Sequence, residues 1–180
     1  MATRREFIKV SAAAGAGVAI GGCAKAAKQT AFEGSERECL VALAEQIVPA
    51  DERCGGATEA GVINFIDNFV FRRYPEILPV YRGGLERLQA ASQKLYGKPF
   101  ERLDFKTQTE FMQKMQKGGL PADVWGKSGQ RRFFDEILTR SMQGFYGPPR
   151  HGGNKDYMSY RMCKLEMPHV LGQNRYGGER

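Results

Sequence analysis

The sequence predicts an all-α fold, a single small bundle of about five helices followed by an extended, irregular C-terminal tail. Three observations lead there. Apolar residues recur at i, i+3, i+4 and i+7 through successive segments; no stretch longer than four residues alternates as a strand does; proline and glycine punctuate the chain at helix-length intervals. With 180 residues, 42% of them hydrophobic and 26% charged, the chain is globular and long enough to bury one core.

Each helix has its own signals. Ser35 with Glu38 has the capping-box spacing, and Leu40, Val41, Leu43, Ala44, Ile47 and Val48 carry a first helix to Pro49. Thr58 is placed to cap a second, whose inward face is Val62, Phe65, Ile66, Phe69 and Val70 and which Pro75 ends. A third runs from about residue 77 to 96, with Leu78, Tyr81, Leu85, Leu88 and Leu95 inward and Gly97 and Pro99 closing it. Asp104 caps a shorter fourth helix carrying Phe105, Phe111, Met112 and Met115, which Gly118, Gly119 and Pro121 end. The fifth, over roughly residues 128–144, carries Phe133, Phe134, Ile137, Leu138 and Met142. These apolar stripes read as core, not as a cofactor box.

Domain organisation follows from the ends. Residues 1–23 form a targeting segment, 24–34 a polar linker, 35–145 the helical domain and 146–180 an irregular docking tail. In the leader, Thr3-Arg4-Arg5-Glu6-Phe7-Ile8-Lys9 fits the twin-arginine export pattern through Arg4, Arg5 and Phe7. The apolar run from Val10 to Ile20 is shorter than the roughly 20 residues that span a bilayer. Ile20-Gly21-Gly22-Cys23 resembles a lipobox with Cys23 as the lipidated residue; a peptidase cut between Ala24 and Ala27 is the other reading. Either way the expected location is the periplasm, reached by the twin-arginine route, with a membrane anchor if Cys23 carries lipid. Gly15, Gly17 and Gly21 do not make a dinucleotide fingerprint, because no strand precedes them and the third glycine falls one place late.

Composition and spacing exclude several functions. The formal charge is +7, but the basic residues are scattered among acids, with no zinc-finger spacing, RNP sequence or basic helix, so nucleic acid is not the partner. No C-x-x-C or C-x-x-C-H occurs, so neither a zinc ribbon nor an attached c-type haem is encoded. His151 and His169 are the only histidines; His169 with Cys163 gives a lone C-x5-H, short of a metal site. An oxidising compartment makes disulfides available, and Cys39 with Cys54, across a helix end and a loop, is the candidate pair. Cys163 is then free, buried or bonded to a partner. The sequence thus predicts no catalytic, cofactor-binding or metal-ligating residue of its own. An independent enzyme and a free-standing periplasmic lipoprotein with a binding or structural role are the rival readings.

Three segments carry a family resemblance. They are Leu43-Ala-x-x-Ile47-Val-Pro49-Ala-Asp51, then Gly55-Gly-Ala57-x-x-Ala60-Gly61-Val62-x-x-Phe65-Ile66-Asp67, and Gly144-Phe-Tyr146-Gly-x-Pro149-Arg-His-Gly-Gly153-Asn154. Together they resemble the gluconate 2-dehydrogenase subunit 3 family, with one departure at Tyr160, where many relatives are expected to carry tryptophan.

The resemblance implies a non-catalytic small subunit without a redox centre. Its partner would be a large FAD-containing subunit of the glucose–methanol–choline oxidoreductase type, often joined by a c-type cytochrome subunit that carries haem c. Substrates in the family are sugars, sugar acids, polyols and glycosides. A twin-arginine leader on a chain with no cofactor site then makes sense if the folded cargo is the flavin subunit. The tail is rich in the aromatic and arginine residues that anchor interfaces. Its docking residues are expected to be Phe145, Tyr146, Pro149, Arg150, His151, Gly153, Asn154, Tyr157, Tyr160 and Arg161, with Asn154 also fixing the local turn.

Overall fold

The computed structural model describes residues 30–126 and 129–165. Arg4, Arg5, Phe7 and Cys23 of the leader, and the chain beyond Leu165, lie outside the described residues. Within them the protein is all-α. Seven helices follow one another: α1 (Gly34–Ile47), α2 (Val62–Asn68), α3 (Leu78–Tyr96), α4 (Phe105–Lys117), α5 (Ala122–Trp125), α6 (Gly129–Tyr146) and α7 (Met158–Met162). A π-helical turn, Phe69–Arg73, prolongs α2, and 3-10 turns occupy Pro75–Ile77, Phe100–Arg102, Pro149–His151 and Lys155–Tyr157.

The long helix α6 is the axis of the bundle and packs on α1, α2, α3, α4 and α7. Leu40 and Leu43 of α1, Val62 and Ile66 of α2, Tyr81, Leu85 and Leu88 of α3, Phe111 and Met115 of α4, and Phe133 and Ile137 of α6 are all buried in one core. The helical period located these faces correctly. Asp104 caps α4 as expected, accepting the Thr107 amide at 3.1 Å, and Gly97 and Gly118 end α3 and α4 in the left-handed conformation.

Other local expectations fail where tertiary contacts override them. Ser35 and Glu38 make no capping box: α1 starts at Gly34, no side chain caps it, and Glu38 faces Arg102 instead. Its start is set by the preceding segment, where Ala31 and Phe32 are buried, so the end of the expected polar linker belongs to the core. Thr58 does not cap α2. Its amide and hydroxyl both donate to Glu45 at the end of α1, at 2.9 and 2.7 Å, which ties the intervening loop to that helix. Leu95, Phe105 and Met142, expected inward, are exposed. The tail is also less irregular than its composition implied: α6 runs on through Tyr146, and two 3-10 turns lead into α7.

Two buried polar groups hold the segments on either side of the helical domain: Asp67 fastens the entering segment to α2, and Asn154 fixes the turn of the tail. The Asp67 carboxylate, at the C-terminal end of that helix, accepts the Ala31 and Phe32 amides at 3.0 and 3.3 Å and pairs with Arg37. Asn154, fully buried, donates to the Gly147 carbonyl at 2.8 Å and accepts the Ser159 amide at 2.9 Å. Next to it the Lys155 amide reaches the Ala60 carbonyl just ahead of α2 at 3.0 Å. Gly152, at φ +103°, lies so close to Asn64 and Asn68 that a Cβ there would collide with them. At Gly153 a Cβ would run into the Gly144 backbone.

Asp67→Ala leaves two buried amides and a half-buried guanidinium without their acceptor. It is expected to lower the unfolding free energy by about 3 kcal/mol in urea titrations followed by circular dichroism. Asn154→Gly keeps the left-handed backbone available but removes both side-chain hydrogen bonds. The expected loss is about 2 kcal/mol by the same measurement, with the largest rise in amide exchange over residues 147–159.

Candidate functional site

Phe145 is buried among the helices, and Gly153 and Asn154 are buried beneath the tail itself. None of the three can dock a partner; they hold the tail on its own bundle, which corrects the expectation for them. Tyr146, Arg150 and Arg161 are exposed, while Pro149, His151, Tyr157 and Tyr160 are half-buried. Tyr157 and Tyr160 pack on each other with ring centroids 5.7 Å apart, outside the concavity that Tyr146, Arg150 and His151 line.

That concavity is a groove of about 1020 Å³ between the end of α2, the last turns of α6 and the Pro149–His151 turn. Tyr146, Pro148, Arg150 and His151 supply its tail side. The opposite wall is Phe65, Asn68, Phe69, Arg72, Arg73 and Tyr74, and α6 adds Arg140 and Met142. A second groove of about 720 Å³ adjoins it, sharing Phe69, Tyr74 and Arg140 and extending along Val80, Arg87, Trp125 and Arg132.

The wall geometry comes from the π turn. The Tyr74 amide bonds the Phe69 carbonyl five residues back, so one residue is inserted relative to an α-helix and Arg72 and Arg73 swing out beside Phe69. Arg140 stacks over the Phe69 ring at 4.0 Å and is held there by Glu136 at 2.8 Å. Glu136 also accepts the buried Tyr81 hydroxyl at 3.2 Å; burial and then the carboxylate push that phenol above its usual range. Sequence reasoning missed Arg72, Arg73, Tyr74 and Arg140 and put Met142 in the core. The available signal was a Phe-Arg-Arg-Tyr-Pro run at the second helix's end, with an arginine flanking the apolar face of the fifth.

His151 is poised by its neighbours. Its Nε2 accepts from Arg150 Nε at 3.0 Å, which requires a neutral ring, and its carbonyl accepts from Asn68 at 3.2 Å. Burial, then the Arg150 and Arg73 guanidiniums, hold its pKa below the ordinary histidine value.

The cysteines do not form the expected pair: Cys39, Cys54 and Cys163 are all free. Cys39 sits in the core-facing first half of α1, while Cys54 lies in the loop beyond that helix's end. Eight helical residues separate Cys39 from Ile47, about 12 Å of rise, against the roughly 4.4–6.8 Å between Cα atoms that a disulfide spans. Burial, reinforced by Glu101, pushes the Cys39 thiol far up, so it is inert. Asp51, Glu59, Arg161 and the Cys163 thiol lie near Cys54, which places it beside the end of α7. Among the described residues no three His, Cys, Asp or Glu side chains gather as metal ligands, and no helix is long and apolar enough to cross a membrane.

Fold and groove define a small all-α module that presents a basic, aromatic face and keeps its carboxylates out of it. The family profile for gluconate 2-dehydrogenase subunit 3 matches residues 34–166, and the chain belongs to that family. It is therefore an accessory subunit of the gluconate 2-dehydrogenase subunit 3 type. No curated protein and no solved structure matches it.

The histidine's setting gives a measurable expectation. In an NMR titration His151 should have its midpoint below about 6.5, and Arg150→Gln should move it back towards that value. A lowered folded pKa means that the unfolded chain binds the proton more readily. The contribution of His151 to stability is therefore present above about pH 6.5 and lost as pH falls through the folded value.

Proposed function

We propose that this chain is the non-catalytic small subunit of a periplasmic dehydrogenase complex that oxidises CH–OH groups of sugars, polyols or glycosides. The flavin chemistry belongs to a large FAD-containing subunit, and a c-type cytochrome is the natural third member. The small subunit carries the export signal for the flavin subunit and stabilises it after export. Membrane association comes through the partners or through lipid on Cys23.

The observation that carries this reading is the family match over residues 34–166. Two features agree with it. Arg4, Arg5 and Phe7 fit a route that moves folded proteins, which suits a companion that must take up FAD before export. The groove offers arginine and tyrosine, the residue types that dominate protein interfaces.

Arg4→Lys with Arg5→Lys keeps the charge and removes the paired guanidiniums that the export machinery reads. Both this chain and the flavin subunit are expected to stay in the cytoplasm, as judged by cell fractionation and flavin absorbance. A flavin subunit that still reaches the periplasm would mean it travels by a signal of its own.

A further inference from the structure

The groove holds an electrostatic imbalance that the isolated chain does not resolve. Arg72, Arg73, Arg140 and Arg150 line it, and no aspartate or glutamate does. Only Arg140 has a carboxylate, Glu136 from the neighbouring groove. Among the described residues Arg72, Arg73 and Arg150 form no salt bridge, and Arg150 spends one N–H on neutral His151. Crowding like charges on one wall costs stability unless opposite charge arrives from outside.

The same wall exposes apolar surface that a soluble helix would turn inward. Tyr74 is 39% exposed, Met142 40% and Tyr146 43%, and all three line the groove. Arginine forks bind carboxylates in a bidentate way, and the aromatic faces between them pack against apolar side chains. An occupant must therefore combine acidic groups with an apolar or aromatic anchor. A bare anion would leave the tyrosines and the methionine unfilled; a purely apolar segment would bury the guanidiniums without partners.

We propose that this groove is the seat of a carboxylate-bearing, aromatic or apolar segment of the large flavin subunit, clamped by Arg72, Arg73 and Arg150 and anchored against Tyr74, Met142 and Tyr146. The inference rests on the subunit reading above and adds the surface and the chemistry of the segment it takes.

The test uses the full chain, tagged at its C-terminus and expressed in its own host. Wild type is expected to recover flavin protein, read as flavin absorbance per mole of chain. Arg72→Glu with Arg73→Glu and Arg150→Glu should reduce that recovery roughly tenfold or more while leaving the helical circular dichroism unchanged. If the triple variant misfolds, the exposed single change Arg72→Glu decides, with about a threefold loss expected and an undiminished recovery overturning the proposal. A benzoylphenylalanine photo-crosslinker at Met142 should capture a peptide of the flavin subunit that contains Asp or Glu. Capture of a second copy of this chain would overturn the proposal. So would arginine-dependent flotation of wild type with phosphatidylglycerol vesicles in place of the crosslink. Wild type that recovers no flavin protein sinks the subunit reading together with the groove. Recovery that is equal in wild type and the folded variants sinks the groove alone.

Discussion

Helix α2 is held by two segments far apart in sequence, residues 31–37 before it and 151–155 after it. Seven residues are too few to be helical alone in water, since nucleation costs more than so few hydrogen bonds return. Asp67 draws the entering chain onto the helix through two buried amides and Arg37. On the other side the Gly152–Lys155 stretch crosses close enough to touch Asn64, Asn68 and Ala60. The π turn, and with it Arg72, Arg73 and Tyr74, continues directly from this clamped helix. The groove thus depends on how these two segments are held against α2.

This changes what the family segments mean. Gly61 in the second segment lies against Gly152 in the third, and the Ala60 carbonyl beside it accepts the Lys155 amide, while Asp67 faces the entering segment. They form the closure that brings the tail home. Several residues that carry the resemblance allow close backbone approach or satisfy buried amides. In the docking proposed above, contact with the partner falls instead to Tyr146, Arg150 and the π turn, of which only the first two belong to those segments.

Much of the bundle was legible because helical periodicity reports burial directly. Leu40 with Leu43, Val62 with Ile66, Tyr81 with Leu85 and Leu88, and Phe133 with Ile137 all face the core as their spacing predicts. The cap at Asp104 was legible because it is local, made within one turn. The caps expected at Ser35 and Thr58 were not, because Asp67 and Glu45 act from 30 or more and 13 residues away and set those boundaries instead. Met142 and Phe105 carry apolar side chains at helical spacing but look outward, a choice that depends on which neighbours arrive. The groove was invisible for the same reason: the inserted residue of the π turn and the passage of the tail bring Arg72 and Arg150 together from opposite ends of the domain.

The hydrogen bond between Lys155 and Ala60 closes a loop spanning more than half of the chain. During synthesis the helices α1 to α6 leave the ribosome before the segment that locks α2, so the domain stays unfinished until the last stretch has emerged. Arg150 is made in that same stretch, so the groove gains its tail wall only when α2 is locked. Closing the fold and completing the groove are thus one event, made by the same few residues of the tail.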